Sequence, residues 1–565
     1  MEVAMDERPW LNHYDEGVPQ HIDYPEIPLF KILEESAQKY ADVPCTIFKG
    51  AKITYKEMNE KTDQLAAGLA DLGVKKGDRV GIFMPNTPQF VMSYFAILKL
   101  GGVVVATNPL YSKREIEHQA NDAGVELMLV MSNFYNLIKE VQPNTRIKRL
   151  VVTNIKETLP PILSFLFTLT QEKKGGFRVE LEDDDVWMQD LIDSHKPEDR
   201  PEVEVGPEDI ALFQYTGGTT GVAKGAIAKH SNLVANSLQI RSWMISAEDG
   251  GEVFLMAIPL FHVYGMVAGM LFAVRLGAPM VMIPNPRDLD DVLSSIQKYK
   301  VTIYPGVPAM YNSINNYPDV QDGKYNLTSI KACISGSAPL MRETKDKFEA
   351  LTGGVLFEGF GLSETPTATH CNPLLGENKT GSIGMPFPDV DARIISLDDE
   401  VTELPVGEIG ELVIKGPQVF KGYHNMPTET ANALREGWLY TGDIAQMDED
   451  GYFYIVDRKK ELIKPSGYQV WPREVEEVIS EHPKVVEVGV AGIPDPQRGE
   501  TVKAWVVVQP GEELSEGEVK DWCKARLAKF KVPTQIEFRD ELPKTTVGKI
   551  LRRELVREHK EISAA

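Results

Sequence analysis

Early in the chain, apolar residues recur at helical spacing in ITYKEMNEKTDQLAAGLADLG and then merge into a short unbroken run, RVGIFM. TPQFVMSYFAILKLGG returns to helical spacing and ends in two glycines, and VVVATN is a second short run. SKREIEHQANDAG and VELMLVM repeat the pair. Spacing near 3.6 marks a helix; a short apolar run bounded by turn residues marks a buried strand. Their strict alternation predicts a largely parallel sheet covered on both faces. The pattern resumes with IALFQY and continues through APMVMI, DLDDVLSSIQKYK and VTIYPG. After about Asp389 the texture changes to short strands with glycine turns, such as ARIISL and IGELVIKG, which predict a smaller antiparallel, barrel-like part. Beyond DRKKELIKPSGYQV, the stretches PREVEEVISEH, VVEVGVAGIP, KAWVVVQPG, EGEVKDWCKARLAKF and QIEFRDELP predict a compact α+β module of about 110 residues. The expected class is therefore α/β. A large N-terminal domain, 1–456, has layered, mostly parallel sheets flanked by helices and a barrel-like part over 389–456. A small, mobile α+β domain follows over 457–565. No internal repeat or low-complexity tract interrupts this order.

The chain of 565 residues is too long for one core, which agrees with two domains. Its net charge of −23 argues against a nucleic-acid polymer as partner. Residues 520–560 run against that balance, with twelve Lys/Arg and six Asp/Glu. Such a stretch is either a solvated basic face or a cationic flap for an anionic ligand. The cysteines Cys45, Cys333, Cys371 and Cys523 lie far apart and lack metal-ligand spacing, so a reducing cytoplasm fits better than a disulfide framework. The acidic N-terminus, MEVAMDERPWLNHYDEG, has no apolar core and is not a secretory signal. LPPILSFLFTLTQEKKGG, from Leu159 to Gly176, is strongly apolar but too short to span a bilayer. It reads equally as a buried helix or strand-loop insertion and as a surface patch touching lipid, with Lys173 and Lys174 facing anionic headgroups.

The chemistry begins with YTGGTTGVAKG, Tyr215 to Gly225. A glycine-rich turn can aim successive N–H groups at an anion, threonines add hydroxyl donors, and a lysine adds charge. The stretch fails G-x-x-x-x-G-K-[ST], because Ala223 precedes Lys224 and Gly225 follows it. It also fails G-x-G-x-x-G, because Gly217 and Gly218 are adjacent. Taken alone, it reads as a phosphate loop or as a solvated turn between the strand IALFQY and the helix NLVANSLQI.

Further stretches follow in order: LFHVYGM with His262, SGSAPL from Ser335 to Leu340, FEGFGLSET with Glu364, YTGD ending in Asp443, DRKKELIKPSGYQV with Arg458 and Lys464, and PKTTVGKILRREL with Lys549. Together they resemble the acyl-adenylate-forming superfamily, over nearly the whole chain, and look most like its long-chain fatty acid–CoA ligases. The resemblance implies a two-step reaction: a carboxylate attacks the α-phosphate of ATP to give acyl-AMP and pyrophosphate, and the thiol of CoA then gives the thioester and AMP. It assigns Thr216, Gly217, Gly218, Thr219, Thr220 and Gly221 to the ATP phosphates, with Lys224 neutralising them. Family loops often carry serine where this chain has Gly218, so one hydroxyl is missing. Glu364 and Thr220 become the Mg2+ ligands, and Ser363 a phosphate contact. Gly336, Ser337, Ala338, Glu358, Gly359 and Phe360 resemble the adenine pocket; Asp443, Ile455 and Arg458 serve the ribose side. His262 would gate the acyl pocket, with Val263, Tyr264, Met266 and Gly361 around it. Lys549 would bridge carboxylate and α-phosphate. Lys464, Ser466, Gly467, Tyr468 and Arg498 would meet the thiol arm, and Asp457 would be the hinge between the two half-reactions.

Fatty acid, ATP and CoA are thus the expected small-molecule partners. A stand-alone enzyme that loads a carrier protein competes with this reading, as does a ligase for medium-chain or aryl acids. A nucleotide-binding lipid carrier without turnover would predict loss of Lys549 or Glu364, and both are present. The expected location is the cytoplasm, with peripheral membrane contact through 159–174; the sequence admits a homodimer without arguing for one.

Overall fold

The computed structural model describes residues 8–182, 184–216, 223–465, 470–545 and 548–564. The chain divides into two compact units. One holds Leu11–Asp391 and Lys415–Gly437; the other holds Met1–Trp10, Ala392–Ile414 and Trp438–Ala565. The break in texture near Asp389 lies at the passage from Asp391 in the larger unit to Ala392 in the smaller.

The larger unit contains two sheets. In the eight-stranded sheet, the spatial order is Gly422–Tyr423, Lys224–Lys229, Ile210–Thr216, Val103–Ala106, Arg79–Phe83, Leu127–Met131, Arg149–Thr153 and Val186–Trp187. From Ile210–Thr216 onward the pairings are parallel, as alternation predicts. The helix Tyr55–Asp71 is started by a capping box between Thr54 and Glu57. The helix Lys113–Ala123 stops at Gly124, whose φ of 70° is left-handed. Pro88–Lys99 is buried along its entire length, which explains its nearly continuous apolar sequence. A nine-stranded sheet has parallel strands at its centre, including Ile303–Gly306, Ala332–Ser335 and Val355–Leu362. Each sheet carries its own core, one around Val105, Met128 and Val152 and the other around Leu255, Ile296 and Tyr311.

The strand IALFQY and the helix NLVANSLQI are both present, and a strand that the pattern does not mark lies between them: Lys224–Lys229, antiparallel to Ile210–Thr216, with the helix beginning at His230. Small residues dominate KGAIAK, so its alternation carries little apolar signal, while its pairing partner supplies the strand. One alternative closes: Pro161–Thr170 is a helix with no buried residue, so 159–176 is not a core insertion.

In the smaller unit, Gly410–Lys415, Trp438–Met447 and Phe453–Arg458 form an antiparallel ladder. A three-stranded sheet follows, with Val485–Asp495 antiparallel and Gln535–Phe538 parallel to Gly499–Val508. The helix Pro472–Ser480 lays Val475 and Ile479 into a core with Val490, Val502 and Val506. Residue 457 lies inside the strand Phe453–Arg458 rather than in a loop between elements. The four cysteines are free and buried. Among the described residues no helix is long and apolar enough to cross a membrane.

Candidate active site

Thr216 stands opposite Lys224 at the end of the antiparallel pairing between Ile210–Thr216 and Lys224–Lys229. Gly217, Gly218, Thr219, Thr220 and Gly221 lie outside the described residues. Lys224 is half-buried; its ammonium pairs with Glu429 and lies 5.2 Å from the centre of the Tyr423 ring. The Tyr423 hydroxyl donates to Glu364 Oε1 at 2.6 Å. Tyr423 is held by its own strand, which pairs with Ala226 and Ile227, and by a hydrogen bond from its N–H to Thr430 Oγ1. Phe420 N–H donates to the Glu364 carbonyl at 2.8 Å. Lys224 and Glu364, distant in sequence, are therefore joined through one tyrosine.

Glu364 follows the strand Val355–Leu362, which turns back into Thr367–Cys371. The register shifts between Phe360 and Gly361, and a Cβ at Gly361 would stand 1.5 Å from the Thr367 carbonyl oxygen. Only glycine allows that approach. Gly361 is thus an exposed strand residue packed on backbone.

The residues assigned to the adenine form one shelf. Ser335 pairs with Glu358 in parallel register, and the turn after Ser335 carries Gly336, Ser337 and Ala338. Ser337 has φ of 68°, a left-handed conformation uncommon for serine. Buried Glu358 steadies this turn by accepting the Leu340 N–H at 3.3 Å. A side chain at Gly336 would come 3.3 Å from the Tyr264 ring and 3.7 Å from the Gly359 carbonyl. Ser337 is exposed; Ala338, Gly359, Phe360 and Ser363 are partly so. The Phe360 ring has its centre 6.0 Å from that of His370, in an edge-on contact.

His262 precedes a π-helix, Tyr264–Leu271, an uncommon geometry that favours functional positions. Burial holds the His262 pKa down to about 4, so the imidazole is neutral near pH 7. Its Nδ1 accepts the Tyr264 N–H at 3.3 Å, which leaves the proton on Nε2. Val263, Tyr264 and Met266 are buried. The Tyr264 hydroxyl donates to the Ile334 carbonyl at 2.6 Å and has that of Gly306 3.0 Å away as a second acceptor, which fixes its ring beneath Gly336.

In the smaller unit, Asp443 and Arg458 face each other across the ladder, with Arg458 Nε 2.6 Å from Asp443 Oδ1. Ile455 lies on the same strand, partly exposed. Asp457 is buried and accepts N–H groups from Arg458 and Arg473 at 2.7 Å, and the Arg552 guanidinium at 3.1 Å. Lys549 sits in a narrow turn: its N–H donates to Thr545 Oγ1, and the Thr545 N–H donates to its carbonyl. As a residue Lys549 keeps an exposed surface. The protein crowding its ammonium nonetheless lowers its pKa, burial being the largest cause and Arg458 the next, while Asp443, Asp457 and Glu476 oppose the shift. Lys549 thus shares one electrostatic neighbourhood with the Asp443–Arg458 pair. Lys464 is exposed, and its N–H donates to Glu500. A Cβ at Gly492 would lie 3.0 Å from Ile463 and 3.5 Å from Glu500, so the Lys464 segment adjoins the hairpin that carries exposed Arg498. Ser466, Gly467 and Tyr468 lie outside the described residues.

The family model described as "AMP-binding enzyme" matches residues 33–424, and "AMP-binding enzyme C-terminal domain" matches residues 474–549. The chain belongs to the AMP-binding enzyme family. A long-chain-fatty-acid–CoA ligase of Bacillus subtilis (strain 168) is 43% identical over 98% of this chain and 99% of the relative. A long-chain-fatty-acid–CoA ligase of Escherichia coli O6:H1 is 38% identical over 97% of each. The crystal structure of ATP-bound MatB from Rhodopseudomonas palustris superposes with a TM-score of 0.82 at 28% identity, covering 95% of this chain and 100% of that one.

Two residues that hold candidate-site side chains of this AMP-binding enzyme escape a motif reading: Tyr423 and Glu429. They meet Glu364 and Lys224 across 59 and 205 positions of sequence. GYHN and TET hold no motif that signals either partner; only the sheet register does. Among the described residues no group of three or more His, Cys, Asp or Glu side chains could hold a metal ion. A lone carboxylate such as Glu364 fits Mg2+ when phosphate oxygens and water complete the shell, because that ion keeps several waters and takes few protein ligands.

Proposed function

We infer that the protein is an AMP-forming ligase that joins a long-chain fatty acid to CoA through an acyl-adenylate. The observation that supports this reading is that Lys549 lies within electrostatic reach of the Asp443–Arg458 ion pair in one unit. A ribose-binding carboxylate beside the lysine of the adenylation step is what the chemistry requires. The names of the full-length relatives support the acid class and CoA.

In the first step the acid's carboxylate oxygen attacks the α-phosphorus and pyrophosphate leaves. Two anions must approach, and the Lys549 ammonium lowers their repulsion. Lys224, released from Glu429, would take the β- and γ-phosphates. Ser337, Ala338, Gly359 and Phe360 would receive the adenine, and Asp443 both ribose hydroxyls. Glu364, with Thr220, would hold Mg2+, which when bound neutralises phosphate charge. Neutral His262 would border the acyl group without adding charge. In the second step the thiolate of CoA attacks the acyl carbon and AMP leaves, with Lys464, Arg498 and the 466–468 turn meeting the CoA arm. Asp457 would act as hinge, with the 457–565 domain presenting different surfaces to the two steps. The enzyme would work in the cytoplasm with a peripheral membrane contact.

The test is to incubate the protein with ATP, Mg2+ and acids from acetate to oleate plus benzoate, with and without CoA, and to read products by mass spectrometry. Long-chain acyl-AMP without CoA, and acyl-CoA with it, is the expected result. Acyl-AMP that CoA never captures would transfer the reading to a carrier-protein ligase. Absence of both products with every acid would overturn it.

A further inference from the structure

A surface helix ordinarily turns its apolar stripe inward. The helix Pro161–Thr170 does the reverse. Ile162, Phe165, Leu166 and Leu169 occupy positions i, i+3, i+4 and i+7, and they are 76%, 64%, 47% and 66% exposed. Leu163, 43% exposed, widens the stripe. The other exposed large apolar side chains among the described residues are spread over several separate segments and form no such stripe. The body-facing side carries Phe167, which meets Phe177 edge-on, and the half-buried Ser164 and Thr168.

The helix is also prepared for a medium without water. The Thr168 hydroxyl donates to the Ser164 carbonyl at 2.9 Å and that of Thr170 to the Leu166 carbonyl at 2.7 Å, so both donors are satisfied within the helix. No charged residue occurs from Leu159 to Gln171. Both ends are fastened to the larger unit. Pro160 lies beside Gly50 and Tyr299, and Glu172 accepts from Lys156 and Asn154. The helix is therefore held along the surface rather than projecting from it.

Cations adjoin both of its anchorages. Lys173, Lys174 and Arg178 follow its C-terminal end, and Lys52, Lys298 and Lys300 flank the Gly50–Tyr299 root. All six are exposed, and none makes an ion pair among the described residues. An apolar stripe bordered by cations, on a chain whose net charge is −23, matches an anionic lipid surface, where headgroups meet the lysines and acyl chains meet the stripe. A second copy of this chain fits less well. A two-fold contact through one helix would bring the same cations face to face.

The geometry points to Pro161–Thr170 as a docking helix that inserts its Ile162–Phe165–Leu166–Leu169 stripe into one leaflet of an anionic bilayer. The purpose, taking a membrane-dissolved fatty acid at the surface where its carboxylate emerges, rests on the ligase reading; the docking itself does not.

The test uses the full chain, a Phe165→Ser/Leu169→Ser variant and a Lys173→Glu/Lys174→Glu variant. Flotation is measured with vesicles of phosphatidylcholine alone and with added phosphatidylglycerol, at low and high salt. Wild type should float with the anionic vesicles, less so at high salt, and each variant should lose about tenfold or more of that binding. Turnover of oleate delivered in vesicles should fall with it, while turnover of water-soluble octanoate stays unchanged. Helix-dependent flotation with no turnover of any acid would keep the docking and remove the ligase reading. Wild type that never floats, or variants that float like wild type, would overturn the proposal. So would light scattering that finds a wild-type dimer and a monomeric serine variant, since the helix would then cover a second copy.

Discussion

Lys224, proposed to take the nucleotide phosphates, already has a partner in place. Its ammonium is paired with Glu429 and lies over Tyr423. Any phosphate that takes Lys224 must first displace that carboxylate, so part of the binding energy is offset. Glu429 is 45% exposed as a side chain, which keeps the pair weak. Replacing Glu429 with Gln should therefore lower KM for ATP by about two- to fivefold, from about 0.5–1 kcal/mol of lost competition. The value of kcat should change little or fall, because pyrophosphate would leave more slowly. Steady-state measurement of acyl-CoA formation at varied ATP checks this; an unchanged or raised KM contradicts it. Tyr423 acts differently, since its hydroxyl orients Glu364 rather than competing with substrate.

At the scale of elements, the turn that presents Glu364 depends on one glycine. A methyl group at Gly361 would overlap the Thr367 carbonyl, so Gly361→Ala must open the ladder between Val355–Leu362 and Thr367–Cys371. The expected cost is about 2 kcal/mol or more, as for other backbone clashes. The Mg2+ concentration for half-maximal activity should rise as Glu364 shifts; denaturant melts and a Mg2+ titration of the same sample separate the two effects. The need for glycine here is hidden in FEGFGLSET, because the clash comes from a strand that the sequence does not mark as adjacent. Elements whose periodicity is strong, such as Tyr55–Asp71, Leu289–Tyr299 and Val485–Asp495, were legible because propensity and burial agree there. Lys224–Lys229 was not, since small residues hide the period. The stripe on Pro161–Thr170 was visible as apolar, but periodicity does not say which side faces the protein. Asp443 and Arg458 were each legible from their own motifs, whereas their pairing follows from strand register.

At the scale of the whole molecule, the larger unit stores a pH dependence in two buried histidines. Burial lowers the pKa of His230 to about 4 and that of His370 to about 3. His230 Nδ1 accepts the Leu29 N–H at 3.0 Å, which requires the neutral ring. In the unfolded chain both would titrate near 6.5, so between that value and their folded values the unfolded state binds more protons and stability falls as pH falls. Each should contribute a loss of about 2 kcal/mol by pH 5. The loss should appear as a lower melting temperature at pH 5 than at pH 7, with a shallower dependence in His230→Gln. An equal slope in that variant would exclude His230 as a source.

The path of the chain through the two units also dictates an order of events during synthesis. The edge of the eight-stranded sheet at Lys224–Lys229 is covered by Gly422–Tyr423, which belongs to the same unit but is made only after Ala392–Ile414 of the other. Until the ribosome has passed residue 423 that strand is an open edge, able to pair with another chain. Lys224 and the charged end of Lys229 stand at its two ends. During that interval the charges at the strand's two ends guard a nascent chain against its neighbours.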